Sequence, residues 1–257
     1  MRDPIDLDDQ TTWPAPVLAF LQEHAAELRL QRTADHEYMR KGSIHRMQNP
    51  SPSMSRWHEA KALIEKELEG RDYLAFHGTR LVDFDDVRRE GLLMLDFDGH
   101  IEKLKRNLAA IGADDELEEV DDALAGKLED DPMFAERQGQ VWMTPLRRFL
   151  HDGGLDDIMG NYGGEAVDDI AVLAGGKLKQ RLQKMGTPAV VVARIPVFGW
   201  CRSTEGRIAQ SIIELYLEAQ GDWDPMDYGW DIMLEQDVPA DRIVAVVAHD
   251  DPSVSER

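Results

Sequence analysis

Apolar residues recur near helical spacing between Pro16 and Arg32, at Val17, Leu18, Phe20, Leu21, Ala25, Leu28 and Leu30, and this predicts an amphipathic helix. A second helix is expected over Trp57–Leu68, ended by Gly70. Residues 33–55 between them are polar and hold Pro50 and Pro52, and they read as a loop or linker. At Asp72 the texture changes. Residues 72–79 (DYLAFHGT) form a short apolar run stopped by a glycine and predict a strand. Short helices follow over 83–90 and 101–111, then a strand over 140–144 (QVWMT). Residues 165–173 and the stretch through Leu182 read as helical. Residues 187–197 (TPAVVVARIPV) are β-branched and apolar on successive positions, the signature of a strand buried on both faces. A helix over 207–219 precedes two last strands, 231–234 and 242–249, joined by a turn at Pro239.

Helices come first, and strands separated by helices and long loops come after. There is no regular strand–helix–strand rhythm, so the expected class is α+β. The change at Asp72 divides the chain into an N-terminal helical extension, 1–70, and a mixed domain, 71–257. The segment 114–131 holds ten acidic residues in eighteen. Its apolar positions, Leu117, Val120, Leu124 and Leu128, are three or four apart, and an exposed amphipathic helix is expected with those four facing inward.

Charge narrows the function classes. Fifty acidic residues against 29 basic ones give a formal charge of −21, and such a surface repels phosphate backbones, so general nucleic-acid capture is not expected. No apolar run approaches the ~20 residues of a membrane helix, and no membrane association is expected. The acidic stretch Met1–Gln10 lacks the basic-then-apolar order of a secretory signal, so a cytoplasmic location is expected. The single cysteine, Cys201, allows no intrachain disulfide and no cysteine-built zinc site. Eight histidines are scattered without an HExxH or a tight cluster, and no protein-held metal is expected.

Common catalytic signatures are missing. There is no GxxxxGK[ST], no glycine loop between a strand and a helix start, and no GxSxG elbow. Two spots remain. His77-Gly78-Thr79-Arg80 ends a strand with a polar ring beside a residue that lets a ligand approach the backbone. Tyr162-Gly163-Gly164-Glu165 sets an aromatic ring before two flexible residues and a helix start. Read alone, the first is a structural turn and the second a loop with a capped helix.

In order, these pieces resemble the ADP-ribosyltransferase superfamily of the H-Y-E type. The family's first core strand ends in His-Gly-Thr or a close variant, followed by a short helix and Gly-Leu, as in Phe76–Arg80 and Val87 through Gly91-Leu92. Val141-Trp142-Met143-Thr144 is similar to the next family strand, and Tyr162-Gly163-Gly164-Glu165 to its Tyr-Gly motif. A strand with a late proline, 187–197, and the turn Val238-Pro239-Ala240-Asp241-Arg242-Ile243 complete a likeness spanning roughly residues 72–250. The resemblance implies a split β-sheet with flanking helices whose cleft binds NAD as substrate, with no metal. It implies that His77 bonds the adenosine-side ribose hydroxyls or the neighbouring amide, that the Gly78 backbone holds the nicotinamide carboxamide, and that Thr79 and Arg80 complete the cofactor-binding strand end. Tyr162 would stack on the nicotinamide, and a late acid would serve the nicotinamide ribose. Asp231 stands at the family position, Glu235 has the family residue type four residues on, and Glu214 is a third candidate. The activity implied is cleavage of the nicotinamide–ribose bond with transfer of ADP-ribose to a macromolecular acceptor, as in a toxin or defence factor. Alternatives are NAD glycohydrolysis and a catalytically inactive nucleotide- or partner-binding protein. NAD-dependent removal of an RNA 2′-phosphate fits the acidic charge poorly.

Overall fold

The computed structural model describes residues 2–127, 138–151, 159–160, 162–164, 167, 170, 176–201, 207–221, 231–252 and 254. The structure is mixed helix and sheet, an α+β protein. It divides into two compact units, Met1–Tyr73 with Pro196–Trp230, and Leu74–Ile195 with Asp231–Arg257. A single cut at residue 70 therefore does not describe the grouping, because the segment after Pro196 returns to the N-terminal helices.

The first unit is helical: α1 (Ala15–Arg40), α2 (Ser43–Gln48), α3 (Ser55–Leu68) and α8 (Arg207–Ala219). Val17, Leu21 and Leu28 of α1 are buried, as are Trp57, Ala60, Ile64 and Leu68 of α3 and Ile208, Ile212, Ile213 and Leu217 of α8. These stripes pack on one another, which is why α8 groups with helices about 150 residues away in sequence. The loop expected over 33–55 is corrected in its first half. The chain stays helical to Arg40 because nothing before Gly42 breaks it, and α2 follows at once. The Tyr38 hydroxyl reaches the carbonyls of Arg46 and Asn49 at 2.9 and 3.0 Å and fastens this second helix. Glu214 lies on the buried face of α8 and meets Arg32 Nε at 2.7 Å, with the same guanidinium 5.3 Å from the Trp57 ring centroid. Glu214 is therefore held by an ion pair within the helical unit.

The second unit holds the strands. A three-stranded sheet has the order β1 (Asp72–Leu81), β3 (Thr187–Pro196), β5 (Ile243–Ala248). A two-stranded sheet pairs β2 (Val141–Met143) with β4 (Ile232–Leu234). β3 and β5 run antiparallel with an irregularity between Val192 and Ala193. Ala189 to Ala193 are buried on consecutive positions, so β3 is covered on both faces, as its sequence predicts. In the antiparallel β2–β4 ladder Val141 faces Leu234, Trp142 faces Met233 and Met143 faces Ile232. An antiparallel bridge between Phe76 and Thr144 links the two sheets.

Helices α4 (Phe84–Glu90), α5 (Phe97–Ala110), α6 (Asp114–Lys127) and α7 (Gly176–Lys184) complete this unit. Ile101, Leu104, Leu108, Val120, Leu178 and Leu182 form one cluster, with Leu117 and Leu124 packed against it. The inward face expected of the acidic helix is thus present at Leu117, Val120 and Leu124, while Leu128 lies outside the described residues. Of the helix expected at 165–173, only Val167 and Ile170 are described, and both are buried and helical.

Candidate functional site

Strand alternation puts His77 and Thr79 on one face of β1, and Phe76, Gly78 and Arg80 on the other. Gly78 is buried, and His77 and Thr79 are half-buried. His77 Nδ1 lies 2.7 Å from the Trp142 carbonyl oxygen of β2. A carbonyl only accepts, so Nδ1 carries the proton and donates. Burial lowers the His77 pKa, with the Trp142 hydrogen bond opposing it, and the ring is neutral at pH 7. In that tautomer Nε2 presents a lone pair, which suits it to accept a hydrogen bond from a hydroxyl. The hydrogen bond and the Phe76–Thr144 bridge next to it join the His-Gly-Thr strand to the Val-Trp-Met-Thr strand.

Arg80 has a different occupation. Its Nε donates to the Met185 carbonyl at 2.9 Å, and its terminal nitrogens donate to those of Met159 (2.9 Å), Gln183 (2.9 Å) and Gly186 (3.0 Å). A planar fork satisfies the open carbonyls at the end of α7, a geometry that only arginine offers. The sequence groups Arg80 with the cofactor-binding residues, and here it is a structural clamp. Arg80→Met should cost roughly 2–3 kcal/mol through the orphaned carbonyls, read as a lower urea midpoint with an unchanged m-value. Arg80→Lys should recover only part of the loss.

Tyr162 is a core residue, only 7% exposed, within the cluster of α5, α6 and α7. Its hydroxyl accepts from Asn107 Nδ2 at 2.6 Å, and its backbone N–H donates to Leu182. Burial raises its pKa. Gly163 and Gly164 both have positive φ, 93° and 63°, and His100 Nε2 lies 3.1 Å from the Gly163 carbonyl. Stacking on a nicotinamide would need one face of the Tyr162 ring uncovered. Glu165, the last residue of this motif, lies outside the described residues.

The two late acids flank β4. Asp231 precedes its first residue and Glu235 follows its last, where the chain bends, and both are exposed. Ile232 and Leu234 between them are fully buried. Since β4 pairs with β2 and the Trp142 carbonyl of β2 holds His77, the imidazole and the acids stand on strands separated by β2. Two strand spacings are about 10 Å. Glu214 is paired with Arg32 at 2.7 Å in the helical unit.

Three contributors escape sequence reading. The Trp142 carbonyl is a backbone group and leaves no mark on residue type. Asn107 and His100 do leave one, as polar residues seven apart beside the apolar stripe Ile101, Leu104 and Leu108. Among the described residues no group of three or more metal-binding side chains occurs, and no helix is long and apolar enough to cross a membrane.

His77 and His100 both have pKa values lowered mainly by burial. The unfolded chain, with histidines near 6.5, then binds protons more readily than the native one. Their contribution is full above about pH 6.5 and is lost as the pH falls through the lower native values. Urea midpoints at about pH 7.5 and 5.5 should differ less in the double variant His77→Asn/His100→Gln than in the wild type.

The chain matches no protein-family model, no curated protein and no solved structure.

Proposed function

We propose that the protein is an ADP-ribosyltransferase-like enzyme that cleaves the nicotinamide–ribose bond of NAD and transfers ADP-ribose to a macromolecular acceptor. One observation carries the reading: the hydrogen bond from His77 Nδ1 to the Trp142 carbonyl, at 2.7 Å. It sets a neutral imidazole, with Nε2 as acceptor, where the strands of the two sheets meet. A ribose hydroxyl is the natural donor to such a nitrogen. The exposed carboxylates at the ends of β4, one strand beyond β2, supply negative charge for the ribose ring as nicotinamide departs. Cleavage builds oxocarbenium-like positive charge on that ring, and a fixed carboxylate stabilises it. The two sheets, β1-β3-β5 and β2-β4, support the split-sheet fold that the sequence resembles.

Calorimetric titration with NAD, followed by assay of released nicotinamide, tests the proposal. His77→Ala should weaken NAD binding by about 1–3 kcal/mol through loss of a buried polar contact. Unchanged affinity in that variant sinks the assignment of His77.

The burial of Tyr162 favours a second reading, a protein of the same fold that binds a nucleotide without cleaving it. A wild type that binds NAD and releases no nicotinamide decides for that reading.

A further inference from the structure

The end of α1 and the whole of α2 carry a surface that the proposed reaction does not use. Met39, Ile44 and Met47 are 53%, 70% and 86% exposed. Ile44 and Met47 are three positions apart on α2 and so share one side of it. Arg40, Lys41 and Arg46 stand among them in sequence, and residues 38–58 hold no Asp or Glu in a chain of net charge −21. Glu27 and Glu59 are taken by Arg56, and Arg40 and Lys41 make no ion pair with any described residue. Arg46 Nη1 lies 3.8 Å from Met39 Sδ, so a cation and an apolar side chain occupy one spot. The Tyr38 hydroxyl holds α2 in place through the carbonyls of Arg46 and Asn49. Exposed apolar side chains beside unpaired cations suit a partner that is both apolar and anionic.

An acidic protein and an anionic lipid surface both meet that description, and the build of the corner decides between them. α2 has six residues and buries none of them, so it offers projecting side chains. A specific protein contact buries about 800 Å² on each partner with matched shapes. A lipid surface needs no matched shape. It takes up a few apolar side chains at the headgroup boundary, while Lys and Arg bury their stems and meet the phosphates. We propose that this corner of the helical unit binds the surface of a membrane containing anionic phospholipid. Met39, Ile44 and Met47 enter the headgroup layer, and Arg40, Lys41 and Arg46 meet the phosphates. Such a contact lies on the surface and needs no spanning helix. The chain as a whole is acidic, but at about 0.15 M salt screening acts over about 8 Å, and the charges nearest the lipid decide the contact. The proposal stands apart from the NAD reading and needs no catalysis.

Co-sedimentation of the full chain with lipid vesicles tests it. The wild type should bind vesicles of equal parts phosphatidylserine and phosphatidylcholine at about 0.15 M salt, and at least tenfold more weakly at about 1 M, where the screening length is about 3 Å. Vesicles of phosphatidylcholine alone should not hold it. A basic residue near an anionic surface is worth about fivefold in affinity, so Arg40→Gln/Lys41→Gln should weaken binding roughly 25-fold. Ile44→Ser/Met47→Ser keeps every cation and should still lose about tenfold or more, because the apolar side chains no longer enter the lipid. Lys177→Gln/Lys184→Gln, at exposed positions of α7, should bind like the wild type. All these sites are exposed, so circular dichroism should match the wild type throughout. A wild type that ignores the mixed vesicles overturns the proposal. So does binding that survives either corner variant, or that falls equally in the α7 variant. Failure on vesicles with Arg40- and Lys41-dependent binding to polyglutamate would give the corner to an acidic protein instead.

Discussion

Replacing Glu235 by Gln is expected to lower NAD cleavage by two or more orders of magnitude while leaving NAD affinity within a few-fold of the wild type. The substitution removes one negative charge and nearly keeps shape. A carboxylate that acts on charge developing in the transition state matters far more to cleavage than to ground-state binding, so the loss should fall in kcat. Glu235 stands just past β4, where pairing with β2 has ended and the chain bends, and its side chain is exposed. Asp231 at the other end of the strand is one methylene shorter. The longer side chain reaches about 1.5 Å further, one carbon–carbon bond, and a misplacement of about 1 Å can cost about a hundredfold in rate. Asp231→Asn should therefore have the smaller effect. A hundredfold loss in Asp231→Asn alone transfers the role to Asp231. If the wild type cleaves NAD and both variants match it, neither acid serves the reaction.

Gly91→Ala should destabilise the protein by about 4 kcal/mol or more, enough to deplete the folded state of a marginally stable unit. Gly91 closes α4 with φ 84° and ψ −162°, a conformation essentially confined to glycine and costly for other residues. Space adds to the strain. A Cβ there would lie 2.1 Å from the Val238 carbonyl oxygen and 2.9 Å from the Ala240 nitrogen. Both are backbone atoms and cannot turn aside as a side-chain end would. The crowding arises because Leu92 and Val238 form an antiparallel bridge with hydrogen bonds of 2.9 and 2.8 Å. The change would part the Leu92–Val238 bridge, close in sequence to Glu235. The measurement is the urea midpoint, with cleavage assayed on the fraction that remains folded. A loss below about 1 kcal/mol would show that this bridge is not formed in solution. Gly70→Ala is the control, since its φ is also positive, 67°, but nothing lies within 4 Å of its would-be Cβ. It should cost far less, because only the backbone conformation is strained there.

Local pattern carried most of the element positions. The run of β-branched residues at 187–197 matches β3, and the helical stripes at 57–68 and 207–219 match α3 and α8 within two residues. These signals are local, since period and branching act within a few residues. The extension of α1 to Arg40 and the presence of α2 were not legible. Polar side chains there suggest a loop, and the fastening hydrogen bonds from Tyr38 join residues eight and eleven positions apart. Long-range pairing was less visible still. Nothing in the α8 sequence names Arg32 as the partner of Glu214, 182 residues away.

For the candidate site, the sequence by itself determined which residue types stand where: a histidine and a glycine within β1, which runs on to Leu81, a tyrosine before two glycines, and two acids around an apolar triplet. Tertiary structure alone decided what each one touches. Arg80 reads like part of a binding strand, yet the end of α7 claims its guanidinium, because helix-terminal carbonyls need donors wherever the chain brings them. By resemblance Tyr162 would stack on a nicotinamide, yet its ring is buried among α5, α6 and α7, because its position is set by packing partners from three separate helices. The tautomer of His77 depends on a backbone carbonyl 65 residues away, and every residue type carries that same group. Residue identity fixes the chemistry a side chain can perform, and the neighbours brought by folding fix whether that chemistry remains free for a ligand.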